Sequence, residues 1–258
     1  MITILHAELI KVRHSRTLRA VLAITVGLSL GITALVTAFG GADVLAEYQA
    51  VDGGGRYEIL FFGSTFGVWA YAFFAAGFAA AEFRNGMINY TFAATANRNR
   101  VLLAKAILVA AGGLIIGIVT SLINFAVTQG VLVATGHPSL SLGEPGLLRV
   151  ILVFIPAQLA VWGVLAVFLG GALRVTTPTV LILLLGSLLP VLVAEFLPTA
   201  WGDTVPRWMP GALIESLAGL SVPGSPGYLQ LPLAIPAVAV WLIAFAVAGL
   251  HWYRTRDV

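Results

Sequence analysis

Six stretches of about 20 predominantly apolar residues recur along the chain, at approximately 20–39, 60–81, 106–134, 150–173, 178–197 and 231–250. Coiled into a helix, each is long enough to cross the roughly 30 Å hydrocarbon core of a bilayer, where a helix satisfies its own backbone polar groups. Composition agrees: 59% of the 258 residues are apolar and 10% charged, against about 45–50% and about 25% in a soluble domain, leaving too little polar surface to face water. Only Arg174–Thr177 separates the fourth and fifth stretches. As one helix they would be about twice the length a bilayer accommodates, so the sequence predicts a tight turn there. The expected fold is an all-α polytopic membrane domain with six crossings, spanning 1–258 as a single unit.

Charge sets the expected orientation. With the amino terminus in the cytoplasm, eleven of the 14 Lys and Arg residues fall on that side, and Arg56, Arg149 and Arg207 fall on the other. Cations retained on the cytoplasmic side of short loops are the strongest determinant of topology, so both termini are expected there, in a multi-pass cell-membrane protein. The formal charge of +3 therefore reads as orientation rather than as nucleic-acid binding. The first apolar stretch is longer than the about 7–15 residues of a secretory signal, so it is expected to stay as a span despite a faint cleavage-like Val44–Ala46. The Asn89-Tyr90-Thr91 sequon falls on the expected cytoplasmic side and reads as accidental.

Between the spans, three segments carry information. In 2–19, Ile2, Leu5, Leu9 and Val12 recur at helical spacing while His6, Lys11, Arg13 and Arg16 fill much of the remaining surface. That pattern suits an amphipathic helix lying in the cytoplasmic headgroup layer with its cations on anionic lipid, the alternative being a short extension of the first span. The segment 82–105, EFRNGMINYTFAATANRNRVLLAK, is the longest expected cytoplasmic stretch between spans, and Gly86 and the TANRN run break it into a short helix bracketed by turns. On the far side, 199–230 is rich in Pro and Gly yet carries Trp201, Trp208, Met209, Leu213, Ile214, Leu217 and Leu220. So many apolar groups predict a loop that dips into the outer leaflet or packs on the spans. The 42–59 loop is polar and offers no binding signature.

Most catalytic chemistry is excluded. No cysteine occurs, which removes disulfides, thiol catalysis and Cys-ligated metals. Gly27–Gly31 spells the letters of a nucleophile elbow, but its serine lies inside an apolar helix rather than at a strand-to-helix turn. Close helix packing explains its glycines better, and Gly63–Gly67 and Gly113–Gly117 repeat the spacing. His6, His14, His137 and His251 are too dispersed for a metal cluster, and no HExxH or GxxxxGK[ST] is present. Nucleotide-driven work would have to come from a partner. Polar side chains within the spans are sparse. Of these, Tyr71, Asn124, Gln129 and Gln158 are candidates for a translocation path, while Ser121, Thr128 and Ser187 join them as possible interhelical hydrogen-bonding groups. Pro156, Pro190 and Pro236 fall inside spans and can kink them.

The order of these features resembles the permease subunits of ABC transporters of the type-2 export class. That family commonly reads E-[FY]-R-x-G-T after the second span, followed by a T-P-x-x-R-x-x-x-x-x-K-like ending. Glu82, Phe83, Arg84, Gly86, Arg100 and Lys105 fit it, whereas Met87 stands where threonine is usual and Ala96 where proline is usual. The likeness covers essentially the whole chain. It implies a non-enzymatic transport subunit, paired with a second permease copy or a similar permease and seated on cytoplasmic ATPase subunits that bind ATP and Mg. It further implies that Glu82, Phe83, Arg84, Gly86, Arg98, Arg100 and Lys105 form the segment coupling those ATPases to the spans. An intramembrane enzyme, or a stand-alone channel without an ATPase partner, is the alternative.

Overall fold

The computed structural model describes residues 1–50, 57, 61–84, 98–194, 196, 202, 204–225 and 227–255. Among them every regular element is helical. They are α1 (Ile2–His14), α2 (Arg16–Ala50), α3 (Gly63–Arg84), α4 (Arg98–Ala134), α5 (Pro145–Arg149), α6 (Ile155–Leu173), α7 (Thr176–Ala194), α8 (Thr204–Arg207), α9 (Pro210–Ala218) and α10 (Leu231–Thr255), with a π-helical turn, Val150–Phe154, joining α5 to α6.

Five helices are long and apolar enough to cross a membrane, over Arg19–Gly40, Gly63–Ala81, Asn99–Ala134, Pro145–Leu173 and Leu231–Thr255. The fifth expected crossing, 178–197, coincides with α7, whose apolar stretch Thr176–Pro190 is shorter than a full span. The predicted turn between the fourth and fifth stretches is present: α6 stops at Leu173, and Arg174 takes a left-handed conformation (φ 64°), its N–H donating to the Gly170 carbonyl. This closes the helix as a C-terminal cap, with a non-glycine residue where glycine is usual.

The bundle is built around α6, which packs against α4, α3, α10 and α7, while α2 lies across α3 and α4. Small residues allow the close crossings. A Cβ on Gly113 would stand 2.8 Å from the Ala160 backbone, and one on Gly117 2.5 Å from Pro156 Cα, so α4 and α6 touch backbone to backbone there. Gly63 brings α3 against the Ser29 and Thr33 backbone of α2, and Gly67 brings it near Ser29 and Thr25, its nearest neighbour at 3.1 Å. The expectation fails for Gly27 and Gly31, which have open space beside them. Those two glycines lie on the exposed side of α2, because the polar positions Thr25, Ser29, Thr33 and Thr37 occupy the side turned inward.

The outer surface departs from that of a water-soluble protein. Large apolar side chains cover the outside, among them Phe39 on α2, Ile115 on α4, Leu192 on α7 and Val240, Ile243 and Val247 on α10. Hydroxyl and amide groups are enclosed: Thr25, Ser29, Thr33 and Thr37 on α2 and Thr120, Ser121, Asn124 and Thr128 on α4 are all buried. An exterior covered by so many large apolar side chains suits lipid as solvent.

The π-turn has a local cause. Pro156 has no N–H to give, and the helix ahead of it widens so that the Ile155 N–H bonds to the Val150 carbonyl. The Ile151 carbonyl, bypassed by this shift, accepts a 2.8 Å hydrogen bond from Ser121 Oγ on α4. Beyond the bundle, the described part of 199–230 packs against α10, while Trp201 lies outside the described residues. Leu213 and Ile214 of α9 are buried, Leu213 in a small core with Leu229, Ala234, Ala237 and Val238, and Trp241 of α10 donates to the Trp208 carbonyl.

Candidate functional site

At the end of the bundle carrying α1, an ion cluster replaces the simple amphipathic face expected of that helix. Leu5 and Val12 do turn partly inward, but Ile2 and Leu9 are exposed and Glu8 is the buried residue. Its carboxylate, 2% exposed, meets Lys11 at 2.6 Å and Lys105 at 2.7 Å. Lys105 is itself 1% exposed; its ammonium donates to the Phe78 carbonyl at 3.2 Å and sits 4.0 Å from the centre of the Phe78 ring. One carboxylate thus ties α1 to the foot of α4 while Lys105 ties α4 to α3. Burying such charges is tolerable only because each has a close, hydrogen-bonded counterpart.

The residues expected to couple to a partner divide in this setting. Phe83, near the end of α3, packs edge-to-face on Tyr253 of α10 with centroids 5.5 Å apart, and the Arg174 guanidinium lies 4.6 Å from its ring. Arg100 is exposed at the start of α4. Lys105 points into the bundle, not outward. Glu82 and Arg84 lie in the last turn of α3 and Arg98 opens α4, but their side chains, like Gly86 and the rest of 85–97, fall outside the described residues.

The four candidate path residues do not converge. Tyr71 is fully buried, fitted against Gly112 and Gly163, and donates to the Val109 carbonyl at 2.6 Å. Asn124 donates its Nδ2 to Ser29 Oγ at 2.8 Å, in the seam between α2 and α4. Gln129 clamps the Leu140 backbone through both amide atoms, at 2.9 Å and 2.7 Å. Gln158 lines a cavity.

That cavity, of about 250 Å³, lies at the end opposite α1, between α3, the π-turn, α6, α7 and α9. Its polar groups come from Ser64, Thr65, Gln158 and Ser187, and its aromatic wall from Trp69 and Trp162, whose rings lie 5.0 Å apart at 50°. Trp162 Nε1 donates to Gln158 Oε1 at 2.9 Å, which leaves the Gln158 amide NH₂ as a donor at the wall.

Two features escape the sequence reading. The Thr25, Ser29, Thr33, Thr37 stripe has a four-residue period visible in the letters, but it is diluted by the surrounding apolar run. It faces Asn124 of α4, and Thr33 Oγ1, Thr120 Oγ1, Asn124 Oδ1 and Thr128 Oγ1 are buried without a hydrogen-bond partner among the described residues. Glu8 carries no signal of its pairing, since its partner Lys105 is 97 positions away. No protein-family model, curated protein or solved structure matches the chain.

Proposed function

We propose that the chain is the membrane-spanning permease subunit of an ATP-driven ABC exporter of the type-2 class, with its motor on a separate polypeptide. In this reading it crosses the membrane six times, α7 making the fifth crossing, with both termini cytoplasmic and α1 in the headgroup layer. A second permease, identical or similar, completes the unit, and ATP and Mg are bound by the partner ATPases. The chain has no phosphate-binding glycine loop of its own.

The buried Glu8–Lys105 pair is the observation that supports this reading most. It joins α1 to α4 beside 82–105, the segment that resembles the family's coupling region, and Phe83 joins the adjoining end of α3 to α10 and Arg174. A force applied to 82–105 would therefore reach α1, α3, α4 and α10 through charge pairs and packed rings, not through a slack loop. Closure of two ATPases would shift the spans only if the two arrangements differ in their contacts at that segment. Glu82, Arg84, Arg98 and Arg100 are the residues that would make those contacts.

The test is isolation of the tagged chain, at native abundance, from its own membranes in mild detergent. A Walker-motif ATPase recovered in stoichiometric amount, and ATP-dependent transport by the reconstituted pair that a Glu82→Ala, Arg84→Ala variant loses while ATP is still hydrolysed, support the proposal. Transport, conductance or catalysis by the chain alone in liposomes refutes it.

A further inference from the structure

We infer that the cavity between α3, α6, α7 and α9 is a binding site for an uncharged amphipathic molecule, presenting a flat apolar ring and one or two acceptor oxygens such as hydroxyl, ether or carbonyl groups. The inference deepens the permease reading, on which calling that molecule cargo depends, but binding itself needs no motor.

The lining fixes the chemistry. No Asp, Glu, Lys, Arg or His is among the described residues around the cavity. An ion entering it would lose water without gaining a counter-charge, a cost of several kcal/mol in such surroundings. A neutral molecule meets no such barrier. Trp69 and Trp162 offer an extended aromatic wall, and ring faces of this kind bury large area with little loss of side-chain freedom. Tryptophan also attracts cations, but these two rings are packed on each other and no carboxylate is among the described lining residues to complete a cation site.

The hydrogen-bonding groups are unevenly supplied. Gln158 has its carbonyl end occupied by Trp162, so the amide NH₂ faces the ligand as a donor. Trp69 Nε1 is a donor only, and Ser64 and Thr65 hydroxyls serve in either sense. None of these four groups has a side-chain hydrogen bond to another described residue. Donors in excess select a ligand rich in acceptor oxygens, because each buried donor left unmatched costs about 1–3 kcal/mol. At about 250 Å³ the cavity falls just under the roughly 300–1,000 Å³ typical of small-molecule pockets. It therefore holds a single ring system or the head of a longer molecule, whose remainder leaves past the exposed Thr65 and Leu188.

The π-turn adjoins the same cavity. Helix segments of this kind are rare and occur frequently at functional sites. Here the widened turn ends at Phe154, and Phe154, Ile155 and Gln158 all line the same cavity.

The test uses the full chain in phosphatidylcholine nanodiscs and three brominated probes of matched size: 4-bromobenzyl alcohol, 4-bromobenzoate and 4-bromobenzylammonium. Bromine quenches tryptophan emission on contact. The chain has six tryptophans, so the difference between the native protein and Trp69→Phe isolates this wall. The alcohol is expected to quench saturably, with the saturable part absent in Trp69→Phe and its midpoint raised at least fivefold in Gln158→Leu. Ser64→Leu, which fills the cavity from α3, should abolish it with the near-UV circular dichroism unchanged. Neither charged probe should saturate. Linear quenching that is identical in native and Trp69→Phe protein overturns the inference, as does a charged probe saturating as tightly as the alcohol. Quenching of Trp69 by brominated-chain phosphatidylcholine that the alcohol does not relieve also overturns it, by making the cavity a crevice for lipid chains. No ATPase is present in the assay, so its outcome and that of the co-isolation are read separately.

Discussion

Replacing Lys105 by Met removes one charge from the Glu8 cluster while keeping most of the side-chain volume. At 2.7 Å the Glu8–Lys105 attraction amounts to about 6 kcal/mol gross at an effective dielectric near 20. Desolvation of two groups that are 2% and 1% exposed offsets much of it. What survives is the cost of orphaning one partner, about 3–5 kcal/mol for a buried pair. Lys105→Met belongs at the low end, near 3 kcal/mol, because Glu8 keeps Lys11 at 2.6 Å. Removing both charges in Glu8→Met, Lys105→Met should recover most of the loss, since a matched apolar replacement of a buried pair is often neutral. The assay is reversible unfolding in mixed micelles, followed by circular dichroism for the four proteins of the cycle. A coupling of at least about 2 kcal/mol, unchanged between low salt and 1 M salt, is expected because the pair is shielded from solvent ions. Additivity within about 0.5 kcal/mol, or a coupling that fades with salt, would refute the reasoning and make the cluster an ordinary surface pairing.

Other substitutions probe different parts of the bundle. Gly63→Ala places a methyl 2.2 Å from the Ser29 carbonyl and should lower stability by about 1–3 kcal/mol or more, whereas Gly27→Ala meets nothing within 4 Å and should be neutral or stabilising by up to about 1 kcal/mol; thermal unfolding of the two compares them. Gln129→Leu deletes both bonds to Leu140, and should cost about 1–3 kcal/mol and speed proteolytic cleavage within 135–144. Burial raises the Glu215 carboxyl above its ordinary value, opposed in part by a hydrogen bond from Ser221. The fold therefore favours the protonated form, and the penalty is absent at low pH and develops as pH rises through the raised value. Glu215→Gln should raise Tm at about pH 8 and leave it unchanged below the ordinary carboxylate value of about 4.3.

Legibility followed interaction range. The apolar runs were readable because the bilayer imposes a length on each, and Arg174–Thr177 was readable as a turn by the same limit, although nothing local announced that Arg174 would take the left-handed conformation. Three glycine pairs share one spacing, yet only Gly63–Gly67 and Gly113–Gly117 meet a neighbour. Spacing shows that a backbone can approach, and the partner helix decides whether it does. Glu8 and Lys105 are joined by tertiary packing alone, which no pattern within either segment encodes. Gln158 was singled out as a lone polar group, but the cavity beside it depends on Trp69, Ser187 and α9, drawn from distant stretches. The inward Thr25–Thr37 stripe has a four-residue period in the sequence, but each residue is only weakly polar and the surrounding apolar run dilutes the signal.

An unbroken α4 has a mechanical corollary. From Arg98 to Ala134 it measures about 54 Å at 1.5 Å per residue, and its closest approach to α6, at Gly113 and Gly117, falls near the midpoint. A rod pinned at its centre acts as a seesaw. Tilting it by about 10° on that fulcrum carries its two ends in opposite directions by roughly 5 Å each, from the 1.5 Å rise and the residues on either side. The Lys105 anchor and the Gln129 clamp sit on opposite arms, so a small stroke delivered at one rim of the bundle would be read out, reversed, at the other.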